Sequence, residues 1–274
     1  MNIPLVLSAR KGLPRGRTRL TAVLRASKEF VSVDTTSSAL SIERDVAARL
    51  LARWTTQGWL KRIRRGLYVS VPVATQGSEQ VLEDPWLLVP EVFSPGYIGG
   101  WSAAEHWGLT EQVFRGICVL TAKPIRKKDW NLQGVPFVVK GISDAALFDL
   151  KPIWRGQTKI MVSSPDRTII DMLADPTLGG GIRHVSECLN AYLALSDAKP
   201  ALLIDLAKQL GNGAVFKRLG FLLASKAGFE SLTSKCLTLL TQGNAKLDPS
   251  LSCKKLVKKW RLWIPINWKG ENKA

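Results

Sequence analysis

The chain has 274 residues, 46% of them apolar, and a mean hydropathy near zero at +0.03. It can bury a sizeable core, but it lacks the unbroken run of about 18 apolar residues that a membrane span needs. The net charge of +17 is uneven: residues 1–71 hold 14 Lys and Arg against 4 Asp and Glu, residues 250–274 hold 7 against 1, and the stretch between holds 18 against 17. A near-neutral body with two basic ends points to a polyanionic partner.

In chain order, residues 1–17 read as a basic arm, because Gly12, Pro14 and Gly16 interrupt any regular element. The opening MNIPLVLSARKG places its charges after a very short apolar run, the reverse of a secretory leader, so a cytoplasmic protein is expected. From Thr18, LTAVLRASKEF brings Leu20, Val23, Leu24 and Phe30 to one side of a helix. TTSSAL forms a short second helix with Asp34 as its N-cap. Ser41 is placed to cap a third helix running from Ile42 to Gln57, with Gly58 to stop it. Its inner face combines Val46, Ala47, Leu50 and Trp54, and its outer face Arg44, Asp45, Ala48, Arg49, Ala52 and Thr55. Small residues between arginines let a backbone come close to a charged surface. LKRIRRGLYVS then gives strands Trp59–Ile63 and Leu67–Val71, joined through Arg64, Arg65 and Gly66 as a hairpin. The period of two puts Arg62 and Arg64 on one face and Lys61 and Arg65 on the other.

Helix, short helix, helix, hairpin is the order of a winged helix-turn-helix, assigned to residues 18–72. Residues 73–85 read as a Pro-, Gly- and Ser-bearing linker, and 86–274 as a second domain. The fold class is therefore α+β: an N-terminal winged helix-turn-helix followed by a mixed domain with several helices. In that domain PWLLVPEVF and YIGGWSAAEHWGL read as short helices, while GICVLTA, GVPFVVKGI and TKIMVSS read as strands. SSPDRTIIDML has Ser164 as N-cap, Pro165 at the first helical position and Asp166 in the first turn. Helices follow in HVSECLNAYLALS, ALLIDLAKQLG, AVFKRLGFLLASKAG and SLTSKCLTLLTQG, and LVKKWRLWIPINW ends as an edge strand because Pro265 interrupts it.

Chemistry-bearing patterns are sparse. Cys118, Cys188, Cys236 and Cys253 form no CxxC, and His106 and His184 stand far from them in sequence, so neither disulfide nor metal site is expected. The glycine runs at Gly179–Gly181 and Gly211–Gly213 lack the spacing of a phosphate cradle, and GxSxG is absent. Asp166 is the best seed for a metal-dependent nuclease, but no ExK strand follows it. Trp260, Trp263 and Trp268 lie among five basic residues and could form a stacking platform for single strands, although strand-end tryptophans packing on the domain explain them more simply. No enzymatic activity and no cofactor are expected.

Three segments together, GWLKRIRRGLYVSVP at 58–72, YIGGWSAAEHWGLT at 97–110 and SSPDRTIIDML at 163–173, resemble the AbiEi antitoxins of bacterial abortive-infection systems. The resemblance implies an N-terminal winged helix that binds repeats in the operon's own promoter and represses it. It also implies a C-terminal α+β domain that counters a nucleotidyltransferase-like toxin called AbiEii. By position, the wing carries over to Lys61, Arg62, Arg64 and Arg65, and the recognition helix to 42–57. Tyr97, Ser102, His106 and Gly108 match the second motif, Arg167 and Asp171 the third, and both motifs are expected to shape the domain. Arg167 and Asp171 stand four apart on one helix face, close enough to pair.

These residues divide by task. Lys61, Arg62, Arg64 and Arg65 are too many and too close for all of them to read bases, so most of them are expected to neutralise phosphate or enter the minor groove from the wing. Arg44 and Arg49 are the candidates for base edges in the major groove of double-stranded DNA. The alternatives are a DNA-binding regulator without antitoxin activity and, further off, a nuclease.

Overall fold

A computed structural model describes residues 15–27, 29–71 and 83–268. Most of the expected basic arm, nearly all of the linker and the last six residues lie outside the described residues. The chain divides into two compact units. One holds the described residues through Asp84 with the segments Leu132–Gly134 and Gly156–Thr158, and the other holds the remaining described residues.

In the first unit, α1 (Arg15–Ala26) starts ahead of the expected Thr18, and β1 (Val31–Ser32) leads into α2 (Val33–Leu40). The cap of α2 is Ser32, whose Oγ accepts the Thr35 amide at 3.0 Å; Asp34 lies in the first turn, where a carboxylate suits the helix dipole. Ser41 does not open the next helix, because it closes this one. It sits in the left-handed region (φ 50, ψ 49) and its amide bonds the carbonyls of Ser37 and Ser38. α3 (Arg44–Thr56) consequently begins two residues later than expected, behind Glu43, without a side-chain cap.

The inner face of α3 is Ala47, Leu51 and Trp54, at i, i+4 and i+7, with Leu50 half-buried. Val46, expected inside, is 40% exposed, while Leu51 is fully buried. The stripe turns toward Leu51 because there two large side chains, Leu51 and Trp54, meet Val23, Val31, Leu60 and Tyr68 in one cluster. β2 (Leu60–Arg64) and β3 (Leu67–Ser70) pair antiparallel, and β1 adds to β3, giving the sheet order β1-β3-β2.

The second unit is built on a six-stranded mixed sheet, with α4 (Leu88–Phe93) and α5 (Gly100–His106) packed near its middle strands. Its strands are β4 (Gly96–Ile98), β5 (Ile117–Thr121), β6 (Asp129–Leu132), β7 (Val135–Gly141), β8 (Leu150–Arg155) and β9 (Thr158–Ser163), in the order β6-β7-β5-β4-β9-β8. β5 is buried along its whole length, antiparallel to β4 and parallel to β7, and so reads as a continuous apolar run. The edge strands β6 and β8 do not stand out in the sequence; β8 carries Lys151, Pro152 and a 65% exposed Trp154, a composition that resists further pairing. YIGGWSAAEHWGL, expected as one helix, splits into β4 and α5. Gly100 makes the junction: its φ is +55, and a Cβ there would collide with the Leu178 carbonyl.

Helices α6 (Pro165–Ala174), α7 (Ile182–Leu193), α8 (Leu202–Leu210), α9 (Gly213–Leu223) and α10 (Glu230–Thr238) surround the main core, which runs from Ile169 and Leu189 through Leu203 and Leu219 to Cys236. β10 (Ala245–Lys246), β11 (Cys253–Val257) and β12 (Leu262–Pro265) close the chain as a small sheet in the order β10-β12-β11. β12 is thus central, not the edge its proline suggested. Pro265 is tolerated because it ends the strand opposite Cys253, and a two-residue parallel partner covers the other side. All four cysteines are free, and no described helix is long and apolar enough to cross a membrane.

Candidate nucleic-acid interface

The candidate surface belongs to the first unit and is made by the outer side of α3 and the β2–β3 hairpin. The α2–α3 turn is held from within: Ser37 Oγ donates to the Ile42 carbonyl at 2.6 Å, and the Ile42 amide to the Ser37 carbonyl at 3.1 Å. With Ala47, Leu51 and Trp54 fixed inward, helical geometry turns Asp45, Arg49, Ala52, Arg53 and Thr56 outward, and all five are exposed. Arg49 and Arg53 form an i, i+4 pair of cations along this side, with the short side chain of Ala52 exposed beside them.

The structure separates the two arginines expected to read bases. Five residues place Arg44 about 140° around the helix from Arg49, and Arg44 is ion-paired with Asp34 of α2. Both side chains of that pair are mostly exposed, at 69% and 67%, so it contributes no more than about 1 kcal/mol and is open to exchange. Arg53, which the sequence reading passed over, joins Arg49 instead. The signal was present in the four-residue spacing, but taking Val46 in place of Leu51 as an inner residue turned the helix so that Arg53 fell outside its outer face.

In the hairpin, the register slips between Arg62, opposite Tyr68, and Arg64, opposite Leu67, which leaves Ile63 as the extra residue of a bulge. The chain reverses at Gly66, whose φ of +79 a side-chain-bearing residue adopts at a cost. Arg62, Arg64 and Arg65 are exposed and Lys61 is half-buried, so the simple two-face alternation ends at the bulge and the arginines cluster at the tip. Arg49, Arg53, Arg62 and Arg65 make no ion pair among the described residues. At the base of the unit, the Arg17 guanidinium lies 5.9 Å from the Trp59 ring centroid, a cation–π contact that fixes α1 against the start of the hairpin.

The motif residues of the second unit do a different job. Arg167 is fully buried and donates from Nε to Asp171 Oδ1 at 2.8 Å, from Nη2 to Tyr97 Oη at 3.1 Å and to the Ala146 carbonyl at 3.0 Å, and from Nη1 to the Phe148 carbonyl at 3.2 Å. Tyr97 donates to the other Asp171 oxygen at 2.8 Å. The i, i+4 pair therefore forms, and the second and third motifs meet in it. Burial pushes the Asp171 carboxyl up from its ordinary value, and Arg167 and Tyr97 pull it back; burial, then the charge of Asp171, raises the Tyr97 hydroxyl well above its ordinary value. Ser102 Oγ accepts the Cys118 amide at 2.9 Å, and Trp107 Nε1 donates to the Ser163 carbonyl at 2.7 Å. Ser164 caps α6 as expected, accepting the Arg167 amide at 3.0 Å. Asp166 accepts the Tyr192 hydroxyl, and among the described residues no group of three or more His, Cys, Asp or Glu is arranged to hold a metal ion.

The arrangement as a whole defines an α+β protein with one small, basic helical unit and one larger sheet-and-helix unit. A solved counterpart has this fold: the crystal structure of the RV2827C protein from Mycobacterium tuberculosis, with a TM-score of 0.62 over 93% of each chain. Sequence identity is 17%, so the likeness concerns fold alone. No family model and no curated protein sequence matches the chain.

Proposed function

We propose that the first unit is a winged helix-turn-helix that binds double-stranded DNA, and that the protein is an antitoxin and autorepressor of the kind its AbiEi resemblance implies. The observation that carries this reading is the shared exposure of Arg49 and Arg53 on α3 and of Arg62 and Arg65 on the hairpin that follows it. A helix with a narrow, arginine-bearing outer side suits the major groove, and a bulged hairpin tipped with cations suits the adjacent backbone or minor groove. In this reading the hairpin holds the duplex and α3 chooses the sequence. Arg49 reaches base edges directly; Arg44 does so after exchanging Asp34 for DNA. The second unit supplies the surface for a nucleotidyltransferase-type toxin, in the cytoplasm and on the nucleoid.

The test pairs a titration of the full chain against its own promoter repeats and a scrambled duplex with co-expression of the adjacent toxin gene. The reading expects preference for the repeats and protection of the cells. Preference without protection leaves a regulator that is no antitoxin. Divalent-metal-dependent cleavage that Asp166→Ala abolishes would contradict the reading altogether.

A further inference from the structure

The second unit contains a pocket of about 490 Å3 between α7, the end of α9 and the small C-terminal sheet. Its floor is apolar: Leu222, Trp260 and Ile264 are 7%, 2% and 5% exposed. Gly220 makes that floor possible, since a Cβ there would overlap the Trp260 indole. Two half-buried rings, Phe221 and Trp268, are neighbours with centroids 6.5 Å apart and planes tilted by 47°. The lining also carries four cations, Arg183, Lys226, Lys255 and Lys259, against one carboxylate, Glu187. Arg183 lies 5.8 Å from the Trp268 ring centroid, and Lys259 lies 5.9 Å from that of Trp260.

We propose that this pocket binds a free nucleotide, with the base against Trp268 and Phe221 and the phosphates among the four cations. The volume falls in the range of about 300–1,000 Å3 usual for small-molecule sites. An inorganic anion would make no use of the Phe221 ring, and an apolar ligand would strip water from cations without pairing them. A planar ring carrying phosphate satisfies both halves of the lining. Glu187 suits ribose hydroxyls or a base amino group, which donate hydrogen bonds to a carboxylate and bring no negative charge. The site lies wholly in the second unit and does not depend on the DNA-binding reading.

Equilibrium dialysis of the full chain against ATP, GTP, CTP and UTP tests the proposal, with adenosine, inorganic triphosphate and a short single-stranded oligonucleotide as comparisons. At least one nucleotide should bind more tightly than both adenosine and triphosphate. Trp268→Ala and Arg183→Ala should each weaken it about tenfold, Trp268→Phe should keep most of the affinity, and Lys235→Ala, an exposed cation of α10 outside the pocket, should change nothing. Thermal melting of each variant confirms that these surface changes leave the fold intact. The proposal is overturned if no nucleotide binds, if triphosphate alone binds as well as ATP, or if the pocket variants have no effect. It is also overturned if only the oligonucleotide binds there, or if promoter-duplex affinity falls in step with nucleotide affinity.

Discussion

The two units treat cations in opposite ways. In the second, Arg167 and Arg218 are buried and each guanidinium nitrogen donates to at least one partner inside: Arg218 reaches the Leu173 and Ala174 carbonyls at the end of α6 and those of Lys246 and Leu247 at the end of β10. A cation at a helix C-terminus also meets the negative end of the dipole. In the first unit Arg49 and Arg53 of α3 and Arg62 and Arg65 of the hairpin are exposed, and the ion pair between Arg44 and Asp34 is itself exposed. Buried charge without partners is costly, so the interior cations are tied to one geometry. Exposed cations cost little in the free protein and remain available to a polyanion. The same residue type is therefore locked into the interior at Arg167 and Arg218 and left accessible on α3 and the hairpin, and burial decides which.

Removal of an interior cation should cost the most. Arg167→Met leaves Asp171 buried with only Tyr97 as partner and should destabilise the protein by about 3–5 kcal/mol, read as a fall in the denaturation midpoint. Arg167→Met with Asp171→Leu should recover much of that loss. On the exposed side, Arg62→Ala with Arg65→Ala should lower affinity for every duplex and flatten the salt dependence by about two units of slope, with stability changed by less than about 0.5 kcal/mol. Arg49→Ala should cost about 1–3 kcal/mol of preference for the repeats over scrambled DNA, measured by competition. Asp34→Ala frees Arg44 and should tighten duplex binding by about 1 kcal/mol or less.

The smallest effect is a pH dependence in the second unit. Burial alone would raise Asp175, but the Lys140 ammonium at 2.6 Å and the Thr177 hydroxyl outweigh it and hold the carboxyl below its ordinary value of 3.8. A depressed carboxylate stabilises the fold above the unfolded value, and that contribution is lost as pH falls through the lower, folded one. Lys140→Met should remove this part of the acid sensitivity in urea titrations between neutral and acid pH.

Local periodicity made much of the fold readable. α1, α3, α6 and the later helices follow their apolar spacing, and the hairpin follows from its β-branched and aromatic residues around Gly66. Short-range capping was read one element out of place: Ser41 looks like an N-cap because serine favours that role, yet here its left-handed backbone closes α2. What depends on distant partners was not readable. Nothing near Tyr97 indicates that its hydroxyl meets Asp171, and Pro265 points to an edge strand at β12 while Ala245 and Lys246 are too short a segment to announce a second partner. At the proposed interface, Arg49, Arg62, Arg64 and Arg65 were visible as charges in pattern. Arg53 was hidden by the choice between Val46 and Leu51, which only packing decides.

In the proposed function, hairpin cations hold DNA while α3 selects its sequence. Fluorescence anisotropy of the full chain on promoter repeats and on scrambled duplex, across a range of salt, compares wild type, Arg62→Ala with Arg65→Ala, and Arg49→Ala. The account predicts that the hairpin variant weakens both duplexes equally and flattens the salt slope, whereas Arg49→Ala mainly erases the difference between them. Equal losses on both duplexes for Arg49→Ala, or unchanged binding by the hairpin variant, would contradict it.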